Sequence, residues 1–338
     1  MVQHTRLRCT WWHRVTAKRP FESEPFDSVY GGMMLLTDEL LRIDPEKIAQ
    51  QIIDFIKNTY AEFGRSGIVV PISGGLDSSV VAALCIRAVG SDRVIGLLLP
   101  ERQGNPDAKK FAKKLGAFLG IETKTISISK ALFAIGTYGF VLSFFPTKKL
   151  RDRVASRYME GVDGNVLIDS IRGSESKLRR KARAAINSKQ RVRLVNLYKF
   201  AEENDLLVVG SAHRTEELVG LFVKFGIDDD ADIMPIKNLF RTHIVQLAEY
   251  LGLPEEIRGR TPNPDIIPGA EDKYRDMLGI PAATVDLILY GIIHGMALED
   301  ISVQLGIDKK KVEEIDELIR LSAHMRNHSE APDFDIFG

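Results

Sequence analysis

Val69-Val70-Pro71-Ile72-Ser73-Gly74-Gly75-Leu76-Asp77-Ser78-Ser79 begins as an apolar run, stops in glycines, an aspartate and hydroxyls, then restarts as the apolar run Val80 to Ala88. That order describes a buried strand, a tight turn and a helix start, whose unpaired N–H groups and positive dipole end form an anion site. Serine and glycine let the backbone close around phosphate oxygens. Asp77 repels a bare phosphate and so implies a cation between them. The turn therefore reads as a magnesium–nucleotide pyrophosphate cradle built from Ser73, Gly74, Gly75, Asp77, Ser78 and Ser79. The bland alternative is a Gly-Gly turn capped by Asp and Ser. The lysine and longer glycine spacing of the Walker loop are missing, so GTPase-type or kinase-type phosphoryl transfer is not indicated.

Working outward, Ile48, Ile52, Ile53, Phe55 and Ile56 with Tyr60 and Phe63 give one apolar helical face ending at Gly64, and a strand follows over 67–72. Residues 94–99 form a second apolar strand, 111–119 a helix closing on Gly120, 123–128 a third strand and 206–209 a fourth, ending in Gly-Ser. Strands alternating with helices at this spacing predict crossover units: an α/β fold with a doubly wound parallel sheet and helices on both faces. Ligands in such sheets bind beyond the carboxyl ends of the strands, where the Ser73, Pro100 and Gly210 turns fall.

The 338 residues are 44% hydrophobic and 27% charged with a formal net charge of +0, which fits a soluble enzyme and gives no whole-chain attraction to nucleic acid or membrane. Cys9 and Cys85 are far apart, which excludes a disulfide framework and points to a reducing cytoplasm. No apolar run has the length of a transmembrane helix. Residues 1–33 are rich in Arg and Trp, show no continuing period and lack a secretory core, so they read as a disordered extension outside the fold.

Two further stretches carry chemistry. Lys148 to Arg157 and Lys177 to Arg193 form a basic section between the third and fourth strands, suited to a phosphate-rich small ligand or a polyanion. The aromatic interleaving of a single-stranded nucleic-acid platform is missing, which disfavours nucleic acid. Gly210-Ser211-Ala212-His213-Arg214-Thr215-Glu216 is a second strand end running into a helix, and Glu216 in its first turn is placed to join Asp77 on a magnesium ion. His213 reads as a packed or surface histidine.

The Ser73 to Ser79 turn matches the Ser-Gly-Gly-x-Asp-Ser loop of the N-type ATP pyrophosphatases, and from about Asp44 to Pro332 the chain resembles the ammonia-dependent NAD synthetases. Asn187-Ser188-Lys189-Gln190-Arg191-Val192-Arg193 is similar to that family's Asn-x-Lys-x-Arg-x-Arg segment. Gly210 to Glu216, Phe222 to Gly226, Ala231 to Pro235, Pro268-Gly269, Leu289-Tyr290-Gly291 and His324-Met325-Arg326 sit in family order. The resemblance implies an adenine nucleotide alpha hydrolase-like α/β domain over 34–265, containing a basic helical section near 145–193. A substrate-side loop and a helical C-terminal appendage are implied over 266–338. It implies ATP-dependent adenylation of deamido-NAD (nicotinic acid adenine dinucleotide) and amidation by ammonia, in a homodimer. Implied ATP contacts are the Ser73 turn, Leu98, Ser211, Arg241 and Asn263. Implied substrate contacts are Asn187, Lys189, Arg191, Lys224, Asp232, His324 and Arg326, with Mg²⁺ on Asp77 and Glu216. Asp77, Asp232 and Arg241 are the implied catalytic residues, with Asp232 or a preceding aspartate stabilising ammonium or taking its proton.

Departures fall mostly on the side that reads the dinucleotide and ammonia. The usual lysine of the adenylation site is Arg241, and an arginine often found on the second strand is Leu98. Asp-Gly-Gly-Ala-Asp becomes Ile227-Asp228-Asp229-Asp230-Ala231-Asp232, and Gly-Gln-Thr-Asp-Glu becomes Gly269-Ala270-Glu271-Asp272-Lys273. No segment matches an amidohydrolase domain, and Cys9 is not set in a nucleophile turn, so free ammonia or a separate glutaminase is the expected nitrogen source. An amide ligase for a different carboxylate, an RNA-modifying adenylating enzyme and a non-catalytic nucleotide binder stay open. The helix, Gly turn and helix over 298–321 mimics a DNA-reading motif, but Glu313, Glu314, Asp316 and Glu317 would repel phosphate, so a packing pair is expected.

Overall fold

A computed structural model describes residues 35–104, 106–139, 165–262 and 271–327. The expected extension at 1–33 and part of the basic section near 145–193 lie outside these residues. Four parallel strands, β1 (Gly67–Pro71), β2 (Val94–Leu98), β3 (Glu122–Thr125) and β4 (Leu206–Val208), form one sheet in the order β3-β2-β1-β4. In register, Ile68 faces Val94 on one side and Leu207 on the other, and Ile95 faces Glu122. The chain steps outward from β1 to β3, then returns to the far side of β1 as β4. The strand order therefore reverses between β1 and β4, and the loops leaving their carboxyl ends enclose the crevice.

Along the sheet run helices α1 (Pro45–Phe63), α2 (Leu76–Val89), α3 (Pro106–Leu119), α4 (Ser129–Ala134), α5 (Val166–Arg172) and α6 (Lys177–Glu203). Beyond β4 come α7 (Arg214–Val219), α8 (Arg241–Tyr250), α9 (Glu255–Arg258), α10 (Lys273–Leu278), α11 (Ala282–Ile293), α12 (Leu298–Leu305), α13 (Lys309–Leu321) and α14 (Ala323–Arg326). β1 is buried on both faces, which is why its sequence shows no polar alternation. Ile68 and Val70 pack with Ile56 of α1, Val81 of α2 and Leu247 of α8. Val69 faces the other way, toward Leu132 of α4 and Leu197 of α6. Each fully buried β1 side chain contributes about 1.5–3 kcal/mol.

All four strands stop short of the expected bounds, β1 and β2 by a single residue each, at Pro71 and Leu98. β3 stops at Thr125 rather than residue 128. It is an exposed edge, and Ile126 and Ile128 donate singly to Leu98 O and Pro100 O as the chain bends toward α4. β4 stops at Val208 because the segment around Ile233 joins its edge, with Val209 bridging Ile233 and the Asp232 carboxylate accepting from Val208 N–H at 2.8 Å.

A separate apolar cluster joins Leu218 of α7, Tyr274 and Leu278 of α10, Ile288 of α11, Ile301 of α12 and Ile315 of α13. The α12–α13 pair thus packs inward as expected. Asp286, fully buried within apolar α11, ties this layer to the sheet side. Its carboxylate accepts from the Thr215 hydroxyl at 2.6 Å, and from the Thr242 backbone N–H at 2.8 Å and hydroxyl at 2.6 Å. Thr215 and Thr242 are immediate chain neighbours of Glu216 and Arg241, so Asp286 fixes where those two side chains start. Among the described residues, no helix is long and apolar enough to cross a membrane.

Candidate active site

The turn after β1 is held as a cup. Gly74 has φ +77°, left-handed backbone that glycine adopts without strain. Gly75 N–H donates to Ser73 Oγ at 3.1 Å, and the Ser78 and Ser79 hydroxyls both donate to Gly75 O, at 3.3 and 2.6 Å. Gly75 then caps α2 with no side-chain hydrogen bond, so the helix-start N–H groups are left for an anion. The Arg260 guanidinium donates to Gly74 O and lies 4.2 Å over the Phe111 ring, adding positive charge at the rim.

Asp77 and Glu216 rise from the first turns of α2 and α7, and His213 stands between them. Its Nε2 lies 4.0 Å from Asp77 Oδ1, 3.4 Å from Glu216 Oε2 and 3.3 Å from the Tyr274 hydroxyl. The ring is completely buried and its Nδ1 has no hydrogen-bond partner in the protein. Burial lowers the His213 pKa despite both carboxylates, which favours the neutral ring. Arg241 pairs with Asp77, and Lys273 with Glu216. Burial opposes ionisation of Asp77, but the positive charges beside it, Arg241 foremost, outweigh it and bring the carboxyl down to about 2. The site thus presents two carboxylates, hard oxygen donors that suit Mg²⁺. Among the described residues no group of three or more acidic, His or Cys side chains forms a metal cage, so further ligands would come from nucleotide and water.

The remaining candidates divide. Leu98 lies in the core at 2% exposure, packed among apolar side chains, and Ser211 sits in the turn between β4 and His213. Asn263 lies outside the described residues. Asn187 is half-buried on α6. Lys189, one turn-step on, is buried and bonds Glu101 at 2.8 Å, and Glu101 also accepts from the Tyr138 hydroxyl at 2.8 Å. Arg191 reaches the Lys224 carbonyl at 3.2 Å, and Lys224 donates to His324 O at 2.9 Å. Arg326 donates to Ser322 Oγ at 2.7 Å and Ile319 O at 2.9 Å, clamping the end of α13. Other basic groups of α6 are also paired, Arg179 with Asp169 and Arg183 with Glu175, while Lys177, Arg180 and Lys181 on the same helix are exposed.

The structure separates the two acids that the sequence left open for the acyl side, Asp232 and a preceding aspartate. Asp232 bonds Val208 N–H and receives the Tyr198 hydroxyl at 3.2 Å, which makes it an edge partner of β4. The preceding Asp228 instead lines a small cleft with Glu216, Phe222, Met234 and Lys237. Its Oδ2 accepts from Gln190 at 3.2 Å, while its Oδ1 is buried without a partner. Burial and the nearby Glu216 raise its pKa to about 7.

Sequence reasoning missed His213, Arg260, Lys273, Tyr274 and Asp286. The His213–Glu216 spacing of three residues across a helix start, and a lone acid inside apolar α11, were usable signals. Nothing local marks Arg260 or Lys273, because their partners are 186 and 57 residues away.

The NAD synthase family model matches residues 48–157 and 161–329. The chain is 36% identical over 259 residues to an NH(3)-dependent NAD(+) synthetase of Coprothermobacter proteolyticus, spanning 75% of this chain and 86% of that one. It is also 36% identical over 281 residues to one of Thermotoga maritima, spanning 82% and 96%. Among solved structures, an NMN synthetase from Francisella tularensis aligns with TM-score 0.63 and 25% identity over 87% of this chain and all (100%) of that one. An NH3-dependent NAD synthetase from Campylobacter jejuni aligns with TM-score 0.59 over 86% of this chain; at 22% identity it supports the fold alone. The cup after β1, the paired carboxylates beside it and a match over most of the sequence agree, and the chain belongs to the NAD synthase family.

Proposed function

We propose that the protein makes NAD by ATP-dependent amidation of deamido-NAD with ammonia, through an adenylated intermediate. The observation that carries this reading is the meeting of Asp77 and Glu216 around the His213 ring, directly beside the anion cup. Mg²⁺, when bound, would be held by Asp77 and Glu216 and would offset the negative charge of the ATP phosphates. Ser73, Ser78 and the α2 N–H groups would hold the departing pyrophosphate. A carboxylate oxygen of the pyridine ring attacks the α-phosphorus, the bond from that phosphorus to the bridging oxygen breaks, and pyrophosphate leaves. Arg241 stabilises charge on the pentavalent phosphorus.

Ammonia then attacks the acyl carbon of the mixed anhydride, AMP departs with its electron pair, and Asp228 accepts the proton lost from nitrogen. A carboxyl poised at about 7 suits that transfer near neutral pH. Asp228 replaces Asp232 in this role because Asp232 is occupied by β4. The expected substrate contacts of Asn187, Arg191, Lys224 and His324 would belong to the dinucleotide side, where a homodimer would complete the site.

The test is NAD formation, read by conversion to NADH, from Mg-ATP, ammonium and deamido-NAD, with nicotinate mononucleotide supplied in parallel because the Francisella relative is an NMN synthetase. NAD production at a kcat/KM exceeding mononucleotide turnover supports the reading. Preferential amidation of the mononucleotide would replace it.

A further inference from the structure

Asp77 and Glu216 each hold a cation from the protein itself. Arg241 stands where the family's lysine stands, so its role follows from that resemblance. Lys273 is different: it falls where the resembling sequences carry a glutamate, and here it brings positive charge to the same place. Its ammonium pairs with Glu216, both side chains are mostly buried at 13% and 14% exposure, and it lies 5.3 Å from the Tyr274 ring centroid. Asp272 caps α10 by accepting from Tyr274 and Arg275 N–H at 2.9 and 3.2 Å, and buried Tyr274 anchors the helix, so the base of the Lys273 side chain is fixed.

Resting on the proposed metal role of Glu216, we propose that Lys273 is a resident counter-ion of the adenylation site, holding Glu216 before ATP binds and passing to the pyrophosphate oxygens once Mg²⁺ takes that carboxylate. Before binding, two carboxylates face two side-chain cations and the charges balance. A divalent ion on the carboxylates frees both cations, and the phosphates arriving with it supply new acceptors. The same ammonium thus lowers the affinity of the nucleotide-free site for metal and strengthens the site's grip on the leaving group. Metal and ATP would then load together, because each relieves the charge the other leaves unmatched.

The experiment uses the full chain and Mn²⁺ as a spectroscopic probe. Mn²⁺ binding to nucleotide-free wild type, Lys273→Met, Lys273→Arg and Glu216→Gln is measured by EPR, with circular dichroism confirming the fold of each. A neighbouring opposite charge changes a carboxylate's cation affinity by about tenfold or more, so Lys273→Met should bind Mn²⁺ about tenfold more tightly than wild type. Lys273→Arg should stay near wild type, and Lys273→Met should bind pyrophosphate in the presence of Mg²⁺ more weakly. Unchanged Mn²⁺ affinity in Lys273→Met, with Glu216→Gln still weakening metal binding, would overturn the counter-ion role alone. If Glu216→Gln leaves metal binding intact even with ATP present, the metal role of Glu216 fails and the counter-ion proposal with it.

Discussion

Replacing Arg241 with Met keeps a long side chain in a buried slot and removes its charge. Asp77 sits at about 2 against an ordinary value of 3.8, with burial opposing and Arg241 the leading favourable charge. At about 1.4 kcal/mol per tenfold change, that gap corresponds to roughly 2–3 kcal/mol of stability carried by the ionised carboxylate, the net of burial against its cationic neighbours, of which Arg241 is the foremost. Because the folded value lies below the unfolded one, the contribution is fully present above pH ~4 and is lost as pH falls through ~2. The pair is mostly shielded, with side-chain exposures of 7% and 20%, so solvent screens it little. Arg241→Met should therefore lose about 2–3 kcal/mol at neutral pH and about half of that near pH 3. Urea unfolding followed by circular dichroism at the two pH values measures both. An equal loss at both would refute the charge argument and leave Arg241 a packing residue. Arg241→Lys should retain most of the pH-dependent part while positioning the charge as a point rather than a fork.

Asp77→Ala should abolish AMP and pyrophosphate formation in a chain that still folds; ATP cleavage persisting near the wild-type rate removes Asp77 from the adenylation machinery. Asp228→Asn should lose the limb of the amidation rate that rises with pH through about 7, as read with free ammonia held constant; an unshifted profile would exclude Asp228 as the proton acceptor. Asp286 is raised by burial from 3.8 to about 6, against its hydrogen bonds from Thr215 and Thr242. Its folded value exceeds the unfolded one, so stability should fall by about 3 kcal/mol as pH rises from ~4 past ~6. Subtracting the denaturation curves of Asp286→Asn isolates that term, and a difference that is flat with pH contradicts it.

The sheet was legible because β1 is central: burial on both faces forces an uninterrupted apolar run, and the Gly-Gly break after it marks a carboxyl end. Asp77 and Glu216 were legible for the same reason, since each lies within a turn of a strand end. Edge elements were less so. β3 is short and exposed, and its end depends on single hydrogen bonds to β2 and the following turn rather than on its own pattern. Asp232 and Asp228 could not be separated by sequence, because which one faces the cleft depends on the Ile233 segment docking on β4. The partners of Asp77 and Glu216 come from α8 and α10, whose placement is fixed by the apolar layer around Tyr274 and Ile288 and by Asp286 rather than by any local motif.

The central claim is that the acyl group is activated on the α-phosphorus, with pyrophosphate released into the Ser73–Ser79 cup. Exchange of labelled pyrophosphate into ATP, with Mg²⁺ and deamido-NAD but without ammonium, tests this directly. The account predicts exchange that requires the dinucleotide, proceeds without ammonium and disappears in Asp77→Ala. ADP and orthophosphate as products, or exchange indifferent to the dinucleotide, would contradict it.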